Sequence, residues 1–422
     1  MSPAVAAPAP APSTDLPWRL VWLLVAGVTL ARLIYLAFLC PYTLVEDEAQ
    51  YWVWSRFLDW SYYSKGPGIA WSIAAFTGVM GNSEFGVRAG AAVWSGAASM
   101  LLALLVARST RSVRGAFLAA AVFCLIPMFQ ASSMLMTIDM PYTALWLAAG
   151  LCAWEGLTRG RATMLALAGL SVGVGFLFKY TAALVLPGLV LFVILHRRSL
   201  PISRAKLALG TLAGVVLMLL AASPVFIWNA ANDWPTFKHT LGHLKLEGGD
   251  VKPAETGYSP LWTLEFVGSQ LALVGPMLVL AWLGARGRDT HGAERLGRAL
   301  LFWMGVPILL VYLAVSFRVE PEGNWAFAGY ATLAGLAGLA VRDGMADFRA
   351  KLAAWRALPE PRPKQGVLTR RPETAAQVAW HATLGMGLIA GVLMLRLDLL
   401  AALPVVGTKV PLGRFTGADA MA

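Results

Sequence analysis

The sequence predicts an all-α, polytopic membrane protein. Of its 422 residues, 58% are hydrophobic and only 14% are charged, against about 45–50% and 25% in soluble domains. Apolar runs recur that approach the roughly 20 residues a helix needs to cross a bilayer. Lys and Arg gather in alternate loops, the pattern of the positive-inside rule.

The elements follow in chain order. Residues 1–17, rich in Pro and Ala, lack the basic start of a signal peptide and read as a flexible cytoplasmic leader. The run 18–39 holds Arg32, is followed by no small-residue cleavage site, and reads as a retained span. Further spans are expected near 85–107, 115–131, 138–156, 162–178, 181–196, 207–227, 261–284, 299–317, 325–341 and 378–397, about 11 in all. The segment 67–81 is apolar but short, which suits a juxtamembrane helix lying in the membrane plane. Making it a span would invert every later loop and break the charge pattern.

With the N-terminus inside, the inner loops hold Arg108, Arg111, Arg159, Arg197, Arg198, Arg286 and Arg295. The outer loops hold most of the acids, including Asp47, Glu48, Asp59, Asp139, Asp233 and Glu320. Two outer regions, 40–84 and 228–260, are large enough to build a site. The loop 342–377 is basic and reads as a cytoplasmic connector before the last span, and 398–422 as a short periplasmic tail.

Composition also excludes classes. The net charge of +11 lies in short loops between spans, so topology explains it and nucleic acid does not. Cys40, Cys124 and Cys152 are scattered without metal-type spacing and read as free thiols. Seventeen Trp and ten Tyr fit aromatic belts at the membrane interfaces. No repeat of fixed period is visible.

Ionisable groups at a membrane boundary are costly and point to function. Glu46-Asp47-Glu48 opens the stretch EDEAQYWVWSRFLDWSYYSKGP. Carboxylates there either favour the first turn of a helix or act chemically. Tyr62, Tyr63 and the neighbouring Trp residues offer a surface for a sugar or a lipid headgroup, or anchor the interface. Lys65 precedes the tight turn Gly66-Pro67-Gly68, which would hold its ammonium near the acids. Asp139 meets the outer boundary before Pro141, where it either caps a helix or joins the site. Lys179-Tyr180 interrupts an apolar run at a tight outer turn, as a snorkelling residue or a phosphate ligand. Arg88 invites the same two readings. Glu320 and Glu322 flank Pro321 and either close the outer site or begin a helix. His239 and His243 have i,i+4 spacing without an HExxH pattern, so no metal ligand is assigned and divalent-ion dependence stays open. The stretches AGAAVWSGAA and LAGLSVGVG read as helix-packing surfaces.

Taken together, these segments resemble the polytopic glycosyltransferases that use polyprenyl-phosphate sugars. They are most similar to the bacterial branch of the protein mannosyltransferase family, which includes aminoarabinose transferases acting on lipid A. EDEAQYWVWSRFLDWSYYSKGPGIAW resembles the family's Asp-Glu motif, aromatic helix and Lys-Pro-Pro turn. NSEFGVRAGAA, TIDMPYTALW, GVGFLFKYTAALVLPG, SPVFIWNAANDWPTFKHT and VEPEGNWAFAGY resemble later blocks in the same order, from about residue 30 to 341. The resemblance implies a membrane-embedded GT-C fold with juxtamembrane helices in the first outer loop. It implies that residues 18–341 form the catalytic module, with Asp47 as catalytic carboxylate, Glu48 supporting it and Asp139 a second acid in the cavity. Lys65 and Lys179 would face the donor phosphate. Arg88, Tyr62, Tyr63, Tyr180 and Glu320 complete the expected substrate-binding set. The turn departs from the family pattern, because Gly66 stands where the first proline is expected, which would loosen it.

The implied partners are a polyprenyl-phosphate sugar, an envelope lipid, glycan or protein acceptor, and membrane lipids. The implied location is the bacterial inner membrane, with the site facing the periplasm. No cofactor is assigned. The competing class is a transporter or flippase of an amphipathic anion, which would carry polar groups at mid-span on broken helices. An unrelated binding or assembly protein is the third class.

Overall fold

The computed structural model describes residues 16–250, 258–287, 292–358 and 371–396. The expected leader, up to residue 15, and the tail 398–422 lie outside the described residues, as does 359–370 of the inner loop. The described chain is helical throughout, without strands. In order the helices are α1 (Trp18–Phe38), α2 (Glu46–Arg56), α3 (Gly68–Met80), α4 (Glu84–Thr110), α5 (Val113–Leu125), α6 (Pro127–Ser132), α7 (Asp139–Arg159) and α8 (Ala162–Phe178). There follow α9 (Val185–His196), α10 (Arg204–Ala231), α11 (Pro235–His243), α12 (Pro260–Val274), α13 (Met277–Ala285), α14 (Ala293–Val315), α15 (Phe327–Arg356) and α16 (Arg371–Leu395).

Local chemistry sets several boundaries. Ser83, Ser112 and Ser203 each accept a hydrogen bond from a backbone N–H in the first turn of α4, α5 and α10, as N-caps do. Gly160 ends α7 in the left-handed region at φ 65°, where the missing Cβ removes the steric penalty. The 13 residues of α3 reach only about 20 Å at 1.5 Å per residue, too short to span. Together α2 and α3 are the juxtamembrane pair expected in the first outer loop.

Helix occurs in each of the eleven runs expected to span. Among the described residues, six helices are long and apolar enough to cross a membrane, or seven if one bent pair counts as a single span. That pair departs from expectation: the run 261–284 breaks at Gly275-Pro276, and α12 and α13 meet at 87°. Pro276 supplies no N–H and Gly275 adopts φ 35°, so the backbone can turn there. A second departure is α15, which continues to Arg356 and makes the start of the inner loop helical.

Small residues bring the core helices into close contact. The first half of α15, FAGYATLAGLAGLAV, is buried along its length. A Cβ on Gly338 would lie 2.3 Å from Ala119 N, and one on Gly284 would lie 2.0 Å from Leu336 O. Such backbone-to-backbone packing is how helices associate in lipid, where apolar surface alone gives little drive. The stretch LAGLSVGVG behaves as expected, with Gly169 closing on Gly214 O of α10. By contrast α1, α10 and α16 leave most of their apolar surface exposed, as lipid-facing helices do.

Two ends of the bundle result. The starts of α4, α7 and α15 and the end of α8 meet at one, where Glu48, Asp139, Lys179 and Asn324 interact. The other collects Arg298 and Arg342, which tie α14 to α15 through Glu294 and Asp343. It also collects Arg108 O, which accepts from Trp154 Nε1.

Candidate active site

The acidic motif splits between two environments. Glu48 is fully buried and grips Arg88, with Nη2 2.7 Å and Nε 3.0 Å from its carboxylate oxygens. It also accepts from Met136 N at 2.8 Å and from Val45 N at 3.1 Å. Arg88, 2% exposed, donates its remaining N–H groups to Tyr42 O and Thr43 O. Arg88, expected to meet substrate, is enclosed by these partners. The pair joins α2, α4 and the loop before α7, and so fixes the start of α2 against α4. Asp47, one residue away, stays exposed and accepts no hydrogen bond from the described residues.

Asp139 opens α7 without capping it. Its Oδ1 lies 2.7 Å from Lys179 Nζ, and its Oδ2 accepts from Asn324 Nδ2 at 3.1 Å. The ammonium also lies 5.3 Å from the Tyr142 ring centroid. Lys179 therefore does not snorkel outward. It closes a buried three-residue junction between α7, the end of α8 and the loop before α15.

Lys65 is brought to the same place by a backbone contact. A Cβ on Gly66 would sit 2.3 Å from Leu177 O, and one on Gly68 would meet Phe178 at 2.9 Å. The Gly66 departure from the Lys-Pro-Pro pattern does not loosen the turn: it lets the turn press onto the end of α8, two residues before Lys179. The Lys65 ammonium makes no hydrogen bond to the described residues. Burial, then the neighbouring Lys179 ammonium, lower its pKa, while Asp47, Glu322 and Asp139 oppose the shift. The Asp47 carboxyl is raised by partial loss of solvent, opposed by Lys65 and reinforced by Asp139, Glu46 and Glu48. The Lys65 and Lys179 ammonium groups thus share one electrostatic site with Asp47, Asp139 and Glu322.

The other expected residues distribute around it. Tyr62 is buried, stacked on Trp54 at 4.6 Å, and its hydroxyl donates to Trp54 O or Phe57 O. It buttresses the Lys65 turn. Tyr63 donates to Asp250, and Thr236 Oγ1 donates to Tyr62 O at 2.7 Å, so the two long loops of this end are docked together. Tyr180 lies in an aromatic group with Phe176 and Phe237. Glu320 is exposed, and it is Glu322 that acts on Lys65, Tyr51 and His243. His243 Nε2 lies 3.0 Å from His239 Nε2, whose ring bonds Asp250 through Nδ1 at 2.9 Å. No group of three or more metal-type ligands occurs among the described residues.

Sequence reasoning left Asn324 and Tyr51 out of the site set. Tyr51 is buried and faces Asp47, Asp139 and Glu322, which together with burial raise its pKa and keep its phenol protonated. Its i+4 position from Asp47 on α2 was the available signal. Nothing local marks Asn324, whose partner is 185 residues away.

Comparison with known proteins bears out the resemblance drawn from the sequence. Residues 64–228 match the family described as dolichyl-phosphate-mannose-protein mannosyltransferase. The chain is 32% identical over 316 residues to lipid A galacturonosyltransferase RgtD of Rhizobium johnstonii, covering 73% of this chain and 62% of that relative. It is 35% identical over 177 residues to the undecaprenyl phosphate-alpha-4-amino-4-deoxy-L-arabinose arabinosyl transferase of Pseudomonas paraeruginosa, covering 40% of this chain and 31% of that protein. The chain thus spans less than two thirds of the length of these relatives. Among solved structures, ArnT from Cupriavidus metallidurans bound to undecaprenyl phosphate aligns with TM-score 0.62 at 17% identity, covering 90% of this chain and 73% of that one. The fold is therefore the GT-C fold of a multi-pass membrane protein.

Proposed function

We propose that this chain is an inverting membrane glycosyltransferase that moves a sugar from a polyprenyl-phosphate donor to an envelope lipid, glycan or protein. The reading sets the site on the periplasmic face of the bacterial inner membrane, with residues 18–341 as the catalytic module. The observation that carries it is the convergence of Asp47 and Lys65, both without hydrogen-bond partners among the described residues, beside the Asp139–Lys179 pair. The relatives support the reading: one is named as a lipid A galacturonosyltransferase, and another as an undecaprenyl phosphate-alpha-4-amino-4-deoxy-L-arabinose arabinosyl transferase, which names the donor class.

In this reading the acceptor hydroxyl attacks the anomeric carbon. Its proton passes to Asp47, whose raised pKa suits a general base. The bond from the anomeric carbon to the phosphate oxygen breaks with its electron pair going to phosphate. Lys65 meets the developing charge and Lys179 adds to the field, its own charge partly balanced by Asp139. Glu48 and Arg88 act by fixing α2, and Tyr62 by supporting the Lys65 turn. Tyr51 and Glu322 join the substrate-facing set, beside Tyr63, Tyr180 and Glu320 at its edge. The long lipid approaches between helices.

A transporter predicts polar groups at a mid-bundle break. The break at Gly275-Pro276 exists, but its nearest polar side chain on α12, Gln270, is bonded to Gly323 O and to the Tyr330 hydroxyl at the acidic end. The deciding experiment incubates detergent-purified protein with undecaprenyl-phosphate sugars and lipid A. Release of undecaprenyl phosphate coupled to acceptor modification is expected. Movement of lipid-linked sugar across sealed vesicles, with no donor consumed in detergent, would overturn the reading.

A further inference from the structure

The basic end of the bundle holds two adjoining cavities, remote from the acidic site. One, of about 890 Å³, lies between α9, α13, α14 and α15 and is walled by Leu278, Trp282, Phe302, Trp303 and Leu336. The second, of about 810 Å³, lies between the ends of α4, α7 and α9 and the start of α14. Its wall carries Arg108, Arg111, Arg159 and Arg295. The two meet at His196 and Arg295, which line both. One compartment is aromatic and apolar, and the other is strongly basic.

Charge balance shows which arginines are available. Arg298 is bound by Glu294, Asp343 and Gly284 O, and Arg286 Cζ lies 3.9 Å from the Trp282 ring centroid. Arg159 pairs with Glu155 at 2.8 Å, and Arg108 approaches the same carboxylate at 3.9 Å. Arg111 and Arg295 are exposed and form no ion pair with the described residues. Among the described residues, Glu155 is therefore the one acid that pairs with any of the four arginines of the basic compartment. Gly160 and Gly292, both at positive φ, turn the chain sharply beside the basic compartment.

We propose that these cavities form one binding site for an anionic phospholipid of the inner leaflet. Its phosphate is held among Arg111, Arg159 and Arg295, and its acyl chains lie along Trp282, Phe302 and Trp303. Basic pockets between membrane helices on the cytoplasmic side recognise such headgroups, and guanidinium groups match phosphate oxygens in pairs. The proposal rests on the topology that sets the basic end inside. It requires nothing of the transfer chemistry.

Native mass spectrometry on detergent-purified, monodisperse protein tests it without donor or acceptor. Phosphatidylglycerol, phosphatidylcholine and inorganic phosphate are titrated separately. Phosphatidylglycerol should bind saturably, and phosphatidylcholine at least tenfold more weakly. Inorganic phosphate should not displace it. Arg111→Gln and Arg295→Gln should each weaken phosphatidylglycerol about fivefold, the worth of one cation near an anionic lipid. Arg198→Gln, an exposed arginine at the same end but outside both cavities, should leave it unchanged. Equal loss in all three variants would reduce the effect to diffuse attraction and overturn the site. Displacement by inorganic phosphate would remove the lipid and leave only an anion pocket. A result of either kind leaves the transfer assay free to succeed or fail independently.

Discussion

Lys179 Nζ lies 2.7 Å from Asp139 Oδ1, in a junction where both side chains are largely withdrawn from solvent. The contact links the end of α8 to the start of α7, and Asn324 brings in the segment before α15. Breaking a buried pair by removing one partner typically costs about 3–5 kcal/mol, because the other charge is left alone. Lys179→Met and Asp139→Asn should each lower the melting temperature in detergent. The double variant should melt higher than the sum of the single losses predicts. Additive losses would mean the two groups do not act as a pair.

Asp47 is expected to carry catalysis without carrying stability. Asp47→Asn keeps size and removes the proton acceptor, and loss of a general base typically lowers turnover about 10²–10⁴-fold. Its melting temperature should stay near wild type, since the carboxylate accepts no hydrogen bond from the described residues. Near-normal turnover in the purified variant would reject the role.

The Glu48–Arg88 pair should show the opposite balance. Glu48→Gln leaves a buried guanidinium facing a neutral amide and shortens the list of acceptors for Arg88 and Met136 N. A stability loss of about 3–5 kcal/mol is expected, measured by thermal unfolding. Turnover per folded molecule should fall less than in Asp47→Asn. A stable but inactive Glu48→Gln would move Glu48 into the chemistry.

The shifts at Asp47 and Lys65 set a pH profile. A raised Asp47 pKa means the base is still protonated above the ordinary carboxylate range, so kcat/KM should climb later on the acid side. A lowered Lys65 pKa means its ammonium is lost below the ordinary lysine range, so the alkaline limb should fall earlier. The bell is therefore narrowed from both sides. Lys65→Met should weaken undecaprenyl-phosphate binding and abolish the alkaline limb. An unchanged limb would assign it to another group.

Gly66→Ala tests the close approach that aims Lys65. The added methyl meets Leu177 O at 2.3 Å, a backbone atom with no rotamer to yield. Overpacking of this kind costs about 1–3 kcal/mol, and donor affinity should fall with the displaced ammonium. An Ala variant with wild-type melting and affinity would show that the turn has room to shift.

Much of this protein follows from the chain alone. In a sequence this apolar, the long helices follow local hydrophobicity and polar residues at their boundaries stand out, which is what marks Asp47, Lys65, Asp139 and Lys179. Alternating Lys and Arg content sorted the loops into two ends for the same reason: charges cannot rest in lipid, so their positions report the path. Tertiary structure decided what those charges touch. Glu48 and Asp47 are adjacent carboxylates with the same local pattern, and only the arrival of Arg88, 40 residues on, buries one and leaves the other open. The same holds for Asn324, for Glu322 over Glu320, and for Tyr62 as a prop beneath Lys65. The break between α12 and α13 and the small-residue contacts of α15 likewise depend on neighbours distant in sequence. Hydrophobicity acts residue by residue and can be read in order, whereas pairing depends on which helix ends the packing brings within 3 Å.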